Sequence, residues 1–350
     1  MAERLSALTA AIDAEARARD YARWLVALSV SNGDSIGATQ VFNTRWPGAA
    51  NRGTVHKAAT SPTSSAAMTE LSTLAGGFIE TLRPATIIGK LTAPRRVPVN
   101  IRVPSATSGA SVTWAGAAAP AMVSSMAFAE ITLPPLKISG IVALTRELLR
   151  STAPEAEALI DADLRAGVVA FEDKALLDPA AAGVVGVSPA SVTYGAPTIT
   201  ASGTDADALK VDLAAAWATL AADPVAPTFI MRPTTAMGCA RALGATAPDL
   251  GWSGGRLFGV PVVTSSSAPA STIIILDAAA LLVADGGVEI DMAGNATIEL
   301  AAPPSNPPVA ATVMTSLWQS GLVGLRAVRG INWAMARPNA VALLTGASYS

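Results

Sequence analysis

The sequence predicts an α+β fold, on three observations. A capped helical pattern of about 25 residues fills 153–178, which is long enough to run roughly 38 Å. An alternating apolar run, 97–103, and a returning apolar run, 128–138, flank a tip rich in Gly, Ala and Ser. Beyond residue 204 a helical stripe is followed by strand, helix and strand patterns in succession.

The long helix is the best defined element. Leu136, Ile138 and Ile141–Leu144 read as the end of a strand, and Thr145–Arg150 as one short helical turn. Thr152 with Glu155 three residues on forms a capping box around Pro154. Glu155 and Glu157 stand where the helix dipole favours negative charge. Ile160, Leu164, Val168, Phe171 and Ala175 recur on one face, which predicts the buried stripe, and Asp178-Pro179 stops the helix. Asp161 and Asp163 fall on its solvated face.

Composition narrows the class. The chain has 350 residues, enough for two modest domains or one elaborated one, yet only 14% of them are charged and 51% are hydrophobic. Soluble domains carry roughly 25% charge, so the deficit points to extensive burial, a membrane or large subunit interfaces. The strongest apolar run, 273–284, is interrupted by Asp277 and falls short of the roughly 20 residues a span needs, so no membrane partner is expected. Glu3, Asp13 and Glu15 stand where a secretion signal would be basic and then apolar, so none is expected. Interfaces are the favoured explanation. One cysteine, Cys239, and one histidine, His56, supply neither a disulfide framework nor a clustered metal site, and neither metal nor cofactor is expected. A net charge of -2 without a basic tail argues against a tight grip on nucleic-acid phosphates.

Taken in order, residues 1–30 form an amphipathic helix through Leu5, Leu8, Ile12, Tyr21, Trp24, Leu25 and Leu28. It packs either on its own domain or on a neighbouring subunit. Residues 31–67 have the Gly/Ser/Thr/Asn/Ala composition of a linker, so order there has to come from contacts elsewhere. Val97, Val99, Ile101 and Val103 alternate, and the chain returns through Phe128, Ile131, Leu133 and Leu136 after a tip carrying Trp114. Such a ribbon is marginal in water and needs a surface to lie on. A helix follows at 205–222, capped by Thr204 with Asp207 and striped by Leu209, Leu213, Trp217 and Leu220. Thr228–Met237 reads as a strand running into a helix, Leu257–Val263 and Thr272–Leu276 as strands. Gly294-Asn295 between 288–292 and 297–301 predicts a hairpin. Pro303–Pro308 is a loop that cannot enter a ladder. A strand pair over 309–328 ends at Arg329-Gly330, and 331–344 closes the chain.

Several of these segments resemble one family. Leu144-Thr-Arg-Glu-Leu-Leu-Arg-Ser151, Phe171-Glu-Asp-Lys-Ala-Leu-Leu-Asp178, Gly76–Lys90, Thr228–Met237, Gly259-Val-Pro-Val-Val263 and Ile331–Leu344 are similar to tailed-bacteriophage major capsid proteins of the Hong Kong 97 fold. The resemblance covers about 70–345. It implies an N-terminal arm at 1–85 (helix 1–30, extended 31–67) and an extended β-ribbon loop at 97–136. It further implies a peripheral domain from 86–96, 137–204 and 284–328 with the spine helix, and an axial domain from 205–283 and 329–350.

The function implied is that of a structural, non-catalytic subunit. It would self-assemble through hexamers and pentamers into an icosahedral shell around double-stranded DNA, without reading its sequence. The particle would be a tailed phage, prophage or gene-transfer particle, assembled in the host bacterial cytoplasm. Portal, scaffold or decoration proteins are further candidate partners. An encapsulin-like compartment around cargo enzymes is the alternative reading. Trp24, Val99, Ile101, Trp114, Phe128, Pro304 and Asn306 are the candidate intersubunit contacts, with Trp114 as the anchor because aromatic side chains dominate interface energies.

Enzyme motifs are weak by comparison. Gly251-Trp-Ser-Gly-Gly255 fits G-x-S-x-G, but loop text precedes it, strand text follows it, and His56 lies far off in the sequence. Asn295-Ala-Thr297 fits a glycosylation sequon without a sign of secretion, and Cys239 reads as a small core residue.

Some relatives weld subunits through a Lys–Asn isopeptide bond whose lysine stands in the extended loop. Residues 97–136 contain no lysine, and Lys137 sits at the base of the returning strand. Boiled assemblies should therefore run as one monomer band on a denaturing gel, whereas a ladder of subunit multimers would show cross-linking.

Overall fold

In chain order, the described residues form helix α1 (Ser35–Arg45), the one-turn helix α2 (Ile87–Lys90), and strands β1 (Arg95–Arg96), β2 (Arg102–Ala106), β3 (Phe128–Thr132) and β4 (Lys137–Thr145). Helix α3 (Pro154–Leu177), β5 (Thr198–Thr200), α4 (Ala206–Ala218), β6 (Pro227–Met231) and α5 (Pro233–Leu243) come next. The rest is β7 (Gly255–Leu257), β8 (Val260–Thr264), β9 (Thr272–Asp277), β10 (Leu281–Ala293), β11 (Thr297–Glu299), β12 (Met314–Ser316), β13 (Leu322–Met335) and β14 (Val341–Thr345). The computed structural model describes parts of 13–31, then 34–51, 85–106, 128–145, 154–220, 223–300, 309 and 311–349. Two units result, one from Met1–Pro84, Ile138–Gly167 and Gly287–Gly330, the other from Ala85–Lys137, Val168–Gly286 and Ile331–Ser350.

The second unit is built on a six-stranded mixed sheet in the order β5-β14-β9-β6-β8-β7. Every residue of β9 is buried, as expected of a run of consecutive apolar residues at the centre of a sheet. Leu209 and Leu213 from α4, and Ala236, Cys239 and Leu243 from α5, pack with Phe229, Met231, Ile273 and Ile275 of the sheet. Pro233 occupies the first turn of α5, where its missing N–H costs nothing.

Four expectations for strands and caps are corrected here. The cap of α4 is Asp205, whose side chain accepts from Ala208 N; Thr204 does not cap it. Leu257–Val263 is a hairpin, since Phe258 (φ 50) and Gly259 (φ 81) turn the chain between β7 and β8 in the primed-turn manner. The hairpin expected around Gly294-Asn295 does not form, because β11 pairs with β12 instead of with β10. Arg329-Gly330 ends nothing, for β13 runs through it.

In the first unit the described residues between 13 and 30 are helical, as the sequence predicts. The linker-like stretch is corrected in part, for α1 lies within it. Asp34 caps α1 by accepting from Ile36 N and Gly37 N, and Phe42 packs edge-on against Trp24 with ring centroids 6.5 Å apart. Asn51 then donates from both its backbone N and its Nδ2 to Asp20 Oδ2, each at 2.9 Å. Within 34–51, local capping, aromatic packing of Phe42 on Trp24 and Trp46, and the Asn51–Asp20 hydrogen bonds order what composition alone leaves open.

The C-terminal end of the second unit is clasped. Tyr349 Oη donates to Asp212 Oδ2 at 2.7 Å, and Ser202 N donates to the same oxygen at 2.9 Å. Burial alone would raise the Asp212 carboxyl, but the hydrogen bonds from Ser202 and Tyr349 outweigh it and hold it below the usual range. Burial first, and then the Asp212 carboxylate, push the Tyr349 phenol up. A depressed Asp212 adds stability above the unfolded pKa of about 3.9 and loses it as pH falls through the folded value. A raised Tyr349 adds stability below about pH 10 and loses it as pH rises further. Urea midpoints should accordingly drop in acid and again in alkali. Tyr349→Phe should cost about 1.5–3 kcal/mol at neutral pH and abolish the alkaline drop; an unchanged alkaline limb in the variant would assign that drop to other groups.

Candidate contact surface

The ribbon sets the surface around it. β2 and β3 pair antiparallel with Arg102 opposite Thr132 and Ala106 opposite Phe128. Val103 and Leu133 point inward and, with Ile131 beside them, pack on Leu282, Ala284 and Ala336. The base of the ribbon therefore lies on its own unit. Its outer face carries the exposed Arg102–Glu130 pair, Nε to Oε1 3.1 Å, worth well under 1 kcal/mol in water.

Strict alternation over 97–103 is corrected. Asn100 turns the chain at φ 63 and donates from its backbone N to Leu133 O at 2.7 Å, so β2 begins only at Arg102. Val99 and Ile101 are left 38% and 46% exposed, outside the cluster that Val103 joins. Trp24 is 3% exposed and packs against Phe42. Phe128 opens β3. Trp114, Pro304 and Asn306 lie outside the described residues, as do Thr152 and the turn 146–150.

The far end of α3 inverts the expected stripe. Phe171 is 57% exposed, while Glu172, Asp173, Leu176 and Leu177 are buried. Asp173 accepts from Ile87 N at 2.8 Å and from Ser265 Oγ at 2.7 Å, which ties α2 and the loop after β8 to the helix. Burial pushes the Asp173 carboxyl up, against the opposing pull of those hydrogen bonds and of Lys90. Periodicity missed this because it scores apolarity and takes no account of buried carboxylates that find donors on distant segments.

Sequence reasoning also passed over the loop after α3. Val184, Val185, Val187 and Tyr194 are exposed there. The signal was present, for residues 179–204 contain no charged side chain.

Ser253 sits in a turn closed by Gly251 N to Gly254 O at 2.9 Å and Gly254 N to Gly251 O at 3.1 Å, and strand β7 follows it, so the geometry is not that of a nucleophile elbow. His56 lies outside the described residues. Among the described residues no three His, Cys, Asp or Glu side chains are grouped to hold a metal, and no helix is long and apolar enough to cross a membrane.

The chain is similar to known proteins over most of its length. The sequence profile of the phage capsid family matches residues 67–346. A capsid polyprotein of Pseudomonas phage PAJU2 is 37% identical over 289 residues, covering 78% of this chain and 43% of that protein. The chain thus spans less than half the length of this relative. Among solved structures, a chain of Mycobacterium phage Bobi superposes with a TM-score of 0.54 at 12% identity, covering 74% of this chain and 90% of that one. A chain of Gordonia phage Cozz gives 0.52 at 18% identity, covering 74% and 86%. Identities this low speak to the fold alone.

Cys239 supplies a check on the core between α5 and the six-stranded sheet. It is fully buried on α5, and burial pushes its thiol up to about 12. Labelling by a thiol reagent at pH 8 should be slow and should track unfolding by urea. Rapid stoichiometric labelling of the native chain would mean that α5 opens locally.

Proposed function

Because this chain belongs to the phage capsid family and carries the Hong Kong 97-like α+β fold, we propose that it is a major capsid protein whose copies close into a shell around double-stranded DNA. The observation that carries the reading is the family match over 67–346, which takes in most of both units. The 14% charge content supports it, since subunit surfaces that meet one another do not need to be solvated.

The role is mechanical. Arm 1–85 and ribbon 97–136 supply intersubunit area, with Val99 and Ile101 exposed at the foot of the ribbon. Obligate interfaces bury about 2,000–5,000 Å² in total, and heterologous contacts that rotate and close give rings. The pieces 86–96, 137–204 and 284–328 act as the peripheral domain, 205–283 and 329–350 as the axial one. DNA is enclosed without sequence readout, in keeping with a net charge of -2. The subunit performs no catalysis, resides in the virion, and meets portal, scaffold or decoration proteins during assembly in the host cytoplasm.

The test is sedimentation velocity of the purified chain, with negative-stain imaging of the fast fraction, alone and after co-expression with its neighbouring genes. Megadalton particles, or hexamer and pentamer rings, are expected. A stable monomer or dimer in every salt condition and in both preparations would overturn the reading. Particles filled with protein cargo in place of DNA would identify a compartment of the encapsulin kind.

A further inference from the structure

We propose that the turn 184–187 is a preformed apolar knob that docks onto a second copy of this chain. The inference rests on the shell-forming reading and names one of its contacts.

The turn is locked. Val184 N donates to Ser188 O, Ser188 N to Val184 O and Val187 N to Val184 O, each at 2.9 Å. Gly183 and Gly186 take φ of 73 and 77, and a Cβ at 183 would stand 2.4 Å from Ala190 N. Its root is tied as well: Val192 N donates to Leu176 O at 3.0 Å, Thr193 Oγ1 to Leu177 O at 2.9 Å, and Trp333 Nε1 to Ala190 O at 2.9 Å. A surface held this firmly loses little conformational freedom on docking.

What it presents is apolar. Val185 is 103% exposed, as open as in an extended chain, and Val184 and Val187 beside it are each more than half exposed. Three valines on one tight turn are contiguous, unlike the scattered apolar residues that every surface carries.

Charge decides the class of partner. The stretch 179–204 that contains the knob has no charged side chain, so it offers nothing to nucleic-acid phosphates or anionic lipid headgroups. The complementary surface is an uncharged, apolar protein face. The same unit of this chain exposes such side chains at Phe171, Val211, Val225 and Trp252. Shape decides the geometry. A convex turn needs a recessed face opposite it, so the knob meets a different part of the second copy and not its own counterpart. Area completes the argument, since one turn falls far short of the roughly 800 Å² per partner of a stable interface. It therefore acts as one anchor within a larger contact between copies.

The test compares wild type, Val185→Asp and Val185→Ile as purified full-length chains, in which a second copy is the sole partner present. Val185→Asp should lower the assembled fraction at least tenfold at fixed concentration, while its unassembled subunit keeps the wild-type urea midpoint; Val185→Ile should assemble like wild type. Should Val185→Asp fail to fold, Val185→Ser is read in the same way. Assembly of the folded polar variant at the wild-type concentration would sink the knob and leave the shell-forming reading standing. A wild-type chain that never assembles, alone or with its neighbouring genes, would sink both.

Discussion

Strand β9 has no residue in water, and the larger unit depends on keeping it so. Its backbone donors and acceptors are met by β14 on one side and β6 on the other, both antiparallel. Where the apolar run ends, Asp277 is buried too. Its Oδ1 accepts from Ala226 N at 3.0 Å and Ala279 N at 3.2 Å, and its Oδ2 pairs with Arg337. One carboxylate thus ties the segment leading into β6, the turn leading into β10 and the turn between β13 and β14 to the end of the central strand. The sheet edges, α4 and α5 are placed by what β9 demands of its neighbours.

The remaining surface obeys a different rule. At the end of α3 an aromatic faces outward and two acids face inward, the reverse of a helix that packs only on its own chain. Asp173 tolerates burial because Ile87 N and Ser265 Oγ donate to it. Phe171 is left largely in water. Ile101 at the foot of the ribbon and Val185 beyond the helix are likewise exposed. Low charge content and exposed apolar side chains are both in keeping with the shell-forming role proposed above.

The sequence by itself determined what depends on neighbours a few residues away. The helix expected over 153–178 runs Pro154–Leu177, the strand into α5 stands where Thr228–Met237 placed it, and Leu209, Leu213, Trp217 and Leu220 pack against the sheet as their spacing required. Capping, proline and apolar period are local physics, and local physics is written in order along the chain. Tertiary structure alone decided what depends on distant partners. Only folding brings Ser265 to Asp173, pairs β11 with β12 instead of β10, and covers Trp24 with Phe42. Of the candidate contacts, the exposure of Val99 and Ile101 was likewise settled by one turn at Asn100, whose hydrogen bond reaches Leu133 on the returning strand. Burial of a polar group or exposure of an apolar one is set by whatever stands opposite in space, and a linear pattern has no term for that.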